Sequence, residues 1–152
     1  MSTFEVTRSA TVQADAAAVH ALIDDFHEWT KWSPWEDVDP DLQRTYSGAD
    51  SGVGAKYAWS GNRKAGQGSM KITSSTHEQI GVELTFLKPF KASNHVTFTL
   101  TPSGSGTEVA WRMTGEQKGV AALFGKIVSM DKLVGKDFEK GLARLKANAE
   151  QR

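Results

Sequence analysis

The chain is 152 residues long, 39% hydrophobic and 24% charged, and its eighteen Lys and Arg balance eighteen Asp and Glu. That length suits one compact domain over residues 1–152, and the neutral balance offers no field to hold nucleic acid. The absence of cysteine removes disulfides, cysteine-based zinc sites and thiol nucleophiles; with no basic-then-apolar leader and no run of about 20 apolar residues, a cytoplasmic chain with no membrane insertion is expected.

Phe4, Val6, Ala10 and Val12 alternate with Glu5, Thr7, Ser9 and Thr11, the period of a half-buried strand, with Arg8 on its apolar side. Asp15 has the chemistry of an N-cap, and Ala16 opens a helix in which Val19, Leu22, Ile23 and Phe26 recur at helical spacing. A second helical turn follows from Glu28 to Trp32, before Pro34. From Leu42 to Thr114 the period becomes two. Strands are predicted at Leu42–Tyr46, Ala55–Ser60, Gly68–Ser75, Gln79–Leu87, Ala92–Thr101 and Thr107–Thr114, with turn signals such as Gly61-Asn62 and Ser103-Gly104-Ser105-Gly106 between them. Such short connections imply antiparallel neighbours. Ile80, Val82, Leu84 and Phe86 share one face, as do Val96, Phe98 and Leu100, and Val109, Trp111 and Met113, while their alternates are polar. A one-sided sheet needs a cover.

The cover is at the C-terminus. Val120, Leu123, Phe124, Ile127, Met130, Val134, Phe138, Leu142 and Leu145 recur every three or four residues, predicting one amphipathic helix with Gly125 or Gly135 as the place for a kink. Roughly 25 residues would span about 38 Å and cross the whole sheet.

Strand, two short helices, six antiparallel strands and a long helix is the helix-grip order. Phe26-His27-Glu28-Trp29-Thr30-Lys31-Trp32-Ser33-Pro34-Trp35 resembles the tryptophan-rich segment of the polyketide cyclase/dehydrase-like branch of the START-type (SRPBCC) superfamily. The stretch from Gly54 to Asn62 is similar to that branch's third strand, Gly66 to Met70 to its entry into the fourth, and Thr107 to Gly115 to its last strand. The resemblance implies an α+β helix-grip fold: a curved seven-stranded antiparallel sheet wrapped around the C-terminal helix, with a cavity between them. It places the mouth near Gly115–Lys126 and the turn at Lys88-Pro89-Phe90. It does not choose a function, because the family uses one scaffold for lipid carriers, cyclases, receptors and chaperone-associated proteins.

With inward faces assigned this way, the sheet contributes Met70, Ile72, Val82, Leu84, Phe86, Val96, Phe98, Trp111 and Met113 to the cavity wall, and the helix contributes Phe124, Ile127 and Met130. Trp59 also points inward, either lining the space or shrinking it. The polar exceptions are Arg8, Tyr57, Ser74 and Asn94. Arg8 is either paired, snorkelling to a strand end, or reaching a ligand, since a buried charge needs a partner. Tyr57 and Asn94 either orient a ligand's carbonyl or hydroxyl or are satisfied rim groups. A slip of one residue at Gly61, Gly66 or Gly68 would take Tyr57 and Ser74 out of the wall together.

Other chemistries find less support. Gly61, Gly66 and Gly68 precede no strand-to-helix turn and no Gly-Lys-Ser/Thr, so they are hairpin and bulge residues and not a phosphate loop. His20, His27, His77 and His95 have no metal-ligand spacing, and no Gly-x-Ser-x-Gly elbow is present. No metal or cofactor is expected, and no catalytic residue is assigned. The acidic run from Glu36 to Asp41 reads as a solvated loop or a partner patch. Trp29, Trp32 and Trp35 either plug one end of the fold or stack on a planar ligand.

An apolar wall with few polar groups is the layout of a small-molecule site. The leading expectation is therefore binding of a lipid-, isoprenoid- or polyketide-like molecule. One alternative is an aromatase/cyclase using Tyr57, Asn94 and Arg8. Another is an interaction module associated with a chaperone or toxin–antitoxin system, which would expose the three tryptophans together.

Overall fold

Seven strands form one antiparallel sheet in the computed structural model, which describes residues 2–36, 39–62, 65–88, 91–117 and 130–151. They are β1 (Ser2–Val12), β2 (Gln43–Gly48), β3 (Ala55–Ser60), β4 (Gln67–Ser75), β5 (Gln79–Lys88), β6 (Ala92–Ser103) and β7 (Gly106–Gln117). The order β1-β7-β6-β5-β4-β3-β2 is a meander from β2 to β7 with β1 added beside β7. Helix α1 (Ala16–Ile23) and a 3-10 turn at Glu28–Lys31 occupy the crossover from β1 to β2. The C-terminal helix α2 (Met130–Glu150) lies against β1 and touches α1. This is the helix-grip arrangement, α+β, with the sheet curved around α2.

Local chemistry explains the helix ends. Asp15 starts α1 through its carbonyl, which accepts the Ala18 and Val19 amides at 3.0 and 3.2 Å, and its side chain makes no cap bond. The last carbonyls of a helix lack intrahelical partners. Here two indoles supply them: Trp32 Nε1 donates to Leu22 O at 2.8 Å and Trp29 Nε1 to Ile23 O at 2.7 Å. Phe26 therefore lies beyond α1 and not on it. The predicted C-terminal helix is present from Met130 onward. Residues 118–129, which include Phe124, Gly125 and Ile127, lie outside the described residues. Gly135 is inside α2, where the Arg8 guanidinium packs over it.

Strand register arranges the inner face in cross-strand rows. One row runs Arg8, Trp111, Phe98 and Ile80, and the next Val6, Met113, Val96, Val82 and Ile72. A third crosses all seven strands through Phe4, Gly115, Asn94, Leu84, Met70, Tyr57 and Tyr46. The fourth, nearest the β5–β6 connection, holds Ala92, Phe86, Gly68, Trp59 and Arg44. The first two rows carry the packed core, and α2 adds Phe138, Leu142 and Leu145 to it. The third and fourth rows are where the packing opens.

Candidate ligand cavity

A cavity of about 220 Å³ sits over those last two rows, between the sheet, the Trp29–Glu36 segment and the first turns of α2. Its inner wall is buried: Phe26, Trp29, Ser33, Tyr57, Leu84, Asn94 and Met113. Its rim is partly open, formed by Trp35, Glu36, Leu42, Ala65, Val134 and Asp137. Aromatic rings dominate the wall. Trp59 lies across Gly68, where a side chain would collide with the indole at 2.6 Å, and meets Phe86 edge to face at 5.8 Å. The Trp59 indole N–H is satisfied by Ala65 O at 2.8 Å, so only its ring is offered to the space. Phe26 stands 5.4 Å from Trp29 and 5.9 Å from Tyr57, continuing the aromatic surface.

Polar groups enter at two places. At the rim, Arg44 grips Glu36 with Nε at 2.9 Å and Nη2 at 2.5 Å, both on Oε2. This hydrogen-bonded pair raises the Arg44 pKa further and fixes the guanidinium close to Tyr57. Burial, and then the negative charge of Glu36, push the Tyr57 hydroxyl well above the ordinary phenol range; Arg44 opposes the shift without cancelling it. Tyr57 is thus a neutral phenol, able to donate a hydrogen bond. At the inner end, Asn94 is 8% exposed, and its Oδ1 has no hydrogen-bond partner.

The residues expected in the wall separate into groups. Tyr57, Trp59, Met70, Leu84, Phe86, Asn94 and Met113 line the cavity together. Ile72, Val82, Val96, Phe98 and Trp111 are buried on the neighbouring rows and belong to the packed core. Arg8 is spent elsewhere: its Nε bonds Glu139 Oε2 at 2.9 Å and its Nη1 bonds Thr7 O at 2.8 Å, and it is not among the described residues that line the cavity. Ser74 is exposed, because a bulge between Ile72 and Ser74 inserts Thr73 and turns the strand over. The bulge acts on Ser74 alone; Tyr57, on another strand, stays inward. Phe124 and Ile127 lie outside the described residues, as does the side chain of Met130, the first residue of α2.

Sequence patterning found the other wall only in part. Ser33, Glu36 and Leu42 come from the crossover between β1 and β2 and Ala65 from a turn, where nothing pointed to the cavity; Phe26, expected on the apolar face of α1, and Trp29 and Trp35, expected either to plug one end or to stack on a ligand, complete this wall. Val134 was legible as apolar helix face, whereas Asp137 was not. The acidic run is more than a solvated loop. Glu36 holds Arg44, and buried Asp39 accepts the Asn62 amide at 2.8 Å and the Asp41 amide at 2.9 Å, tying the crossover to the β3–β4 turn. The tryptophans divide as well: Trp29 and Trp32 are buried, while Trp35 is 37% exposed with its N–H 3.3 Å from Asp137 Oδ2.

None of the described histidines reaches the cavity. His20 Nε2 sits 3.2 Å from Ser75 Oγ, but that hydroxyl also donates to Asp24 Oδ1 at 2.7 Å. A carboxylate can only accept, so the serine proton is committed to Asp24 and the hydroxyl is not an activated nucleophile. His27 pairs with Asp25 at 2.8 Å and stacks on Tyr46 at 4.0 Å.

Residues 3–150 match the family model for polyketide cyclase/dehydrase and lipid transport proteins. The chain is a member of that family. No curated protein matches it in sequence. Among solved structures it is similar to protein CV1439 from Chromobacterium violaceum, at 16% identity and a TM-score of 0.67, covering 97% of this chain and 96% of the other. It is likewise similar to major latex-like protein 151 of Panax ginseng, at 12% identity, a TM-score of 0.68 and 97% coverage of both chains. The Aha1 dimer from Colwellia psychrerythraea is similar at 15% identity and a TM-score of 0.62, with 97% of this chain and 96% of that one covered. At these identities the likeness is one of fold. Among the described residues no helix is long and apolar enough to cross a membrane.

Proposed function

We propose that the chain binds a small hydrophobic molecule, of lipid-, isoprenoid- or polyketide-like chemistry, in the cavity between the sheet and α2. One observation carries this reading: an aromatic-walled space of about 220 Å³ in which the inner wall is buried yet not filled. Protein interiors pack to crystal density, so a hollow of this size forfeits contacts that a ligand would restore. Family membership supports it. Native mass spectrometry of the protein purified from its own cells, with a denatured control, tests it. An extra mass lost on denaturation is expected; an apo mass that stays unchanged when small apolar compounds are added would contradict it.

A second reading, an aromatase/cyclase, draws support from Tyr57 and Asn94 facing one cavity. A neutral phenol can donate to a carbonyl or enolate oxygen during aldol closure of a poly-β-ketone. Its test is aromatic product formation from a short poly-β-ketone thioester, lost in Tyr57→Phe. The interaction-module reading loses its surface, because Trp29 and Trp32 are buried against α1.

A further inference from the structure

Size, charge and one unanswered polar group narrow the ligand class. An engineered apolar cavity of about 150 Å³ holds benzene. The cavity here, about 220 Å³, therefore suits one or two fused rings, well short of a sterol or a long acyl chain. Phe26, Trp29, Tyr57, Trp59 and Phe86 present ring faces and edges to it, which favour a planar guest. The charged residues among the described lining are Glu36 and Asp137, both carboxylates, and the nearby guanidinium of Arg44 is taken up by Glu36. An anionic ligand, such as a fatty acid, would meet like charge at the rim, with no cation among the described wall residues to receive it.

Asn94 supplies the missing specificity. It lies at the middle of the third row, between Leu84 and Gly115, and its carboxamide occupies the volume that a side chain at Gly115 would need. A Cβ on Gly115 would stand 2.1 Å from Asn94 Oδ1, 2.9 Å from Phe4 Cζ and 3.0 Å from Asn94 Cγ, so the amide oxygen lies directly over this glycine. The backbone there has thus been cleared for an amide whose Oδ1 is left without a partner. A buried polar group normally has one, and leaving it unmade is costly. Asn94 lines the cavity, and a half-turn about its last side-chain bond exchanges the amide oxygen and nitrogen; that turn takes the oxygen off Gly115 to where a ligand hydroxyl, which both donates and accepts, can donate to it.

We infer that the ligand is an uncharged, hydroxylated aromatic molecule of one or two rings, bound with its hydroxyl against the carboxamide of Asn94. This rests on the cavity being the ligand site, and the test separates the two claims. Equilibrium dialysis compares 2-naphthol with 2-methylnaphthalene, which exchanges hydroxyl for methyl at nearly constant shape, and with decanoate as the anionic chain. The wild-type protein is expected to bind 2-naphthol and to exclude decanoate. In Asn94→Leu the preference for 2-naphthol over 2-methylnaphthalene should fall about tenfold. Asn94→Ala, which asks nothing new of the space over Gly115, should show the same fall and covers the case in which leucine does not fit. A preference unchanged in the folded variants, or decanoate bound as tightly as 2-naphthol, would overturn the inference while leaving a ligand cavity. Failure of wild type to bind any of the three compounds would remove the cavity reading itself.

Discussion

The two ends of the sheet use similar side chains to opposite effect. At the closed end Trp111 stacks on Phe138 at 4.0 Å with the rings within 8° of parallel, and Trp32 and Phe98 meet Trp111 at 5.5 and 5.0 Å. Each ring there has a counterpart from α2 or from the crossover, and Gly141 on α2 lets Trp111 approach to where a Cβ would be 2.8 Å away. At the open end Tyr57, Trp59 and Phe86 are equally aromatic, but the third row is thinned at its centre by Gly115 and a short asparagine. The hollow comes from missing side-chain volume on an otherwise ordinary inner face. The inner face of one sheet is thus filled in two rows and left open in the next two.

Substitutions at the two ends should break or sharpen that contrast. The largest effect is expected from Trp32→Ala, which deletes a fully buried indole and its bond to Leu22 O; denaturant unfolding should record a loss of about 3–5 kcal/mol. Trp35→Ala at the rim should cost less than about 1 kcal/mol, and equal losses at the two positions would erase the distinction. Overpacking gives the next contrast. Val96→Phe, in a filled row, should destabilise by about 1–3 kcal/mol. Leu84→Phe, one row away, has the cavity to grow into and should leave stability nearly unchanged while abolishing ligand uptake.

The smallest effect concerns protons. The chain has two tyrosines, and burial raises the hydroxyl pKa of both Tyr46 and Tyr57. A hydroxyl that holds its proton more tightly when folded contributes stability that is complete below the unfolded value of about 10 and is lost as pH rises above it. Ultraviolet titration of the folded protein should therefore show phenolate appearing later than in the unfolded chain. Tyr57→Phe should flatten the alkaline fall in stability; a titration at the ordinary phenol value would mean Tyr57 is not enclosed.

Much of the fold was legible because most of it is periodic. Alternation located the strands to within a few residues, β3 at its observed bounds, and put Leu84, Phe86 and Asn94 on the inner face. What periodicity could not read was its own interruption. The bulge after Ile72 reversed Ser74, and a strand-by-strand pattern contains no term for the extra residue. Arg8 was correctly placed on the inner side of β1, yet its partner Glu139 lies 131 residues away, and no local rule pairs them. The crossover from Phe26 to Leu42 supplies six of the sixteen described lining residues, and most of it is irregular, so its contribution had to be seen folded. Individual residues such as Glu36 and Asp39 looked solvated because their partners, Arg44 and Asn62, are brought to them by the β2–β4 strands.

The most direct test of the hollow end is carbon-13 methyl NMR of the methionines during titration with 2-naphthol. Met70 and Met113 both face the cavity, from the third and second rows. Ring currents from a guest seated between the aromatic walls should move both methyl signals together and saturably, with Leu84→Phe abolishing the movement. Methyl signals of Met70 and Met113 that stay fixed while 2-naphthol binds would place the ligand elsewhere and contradict the account.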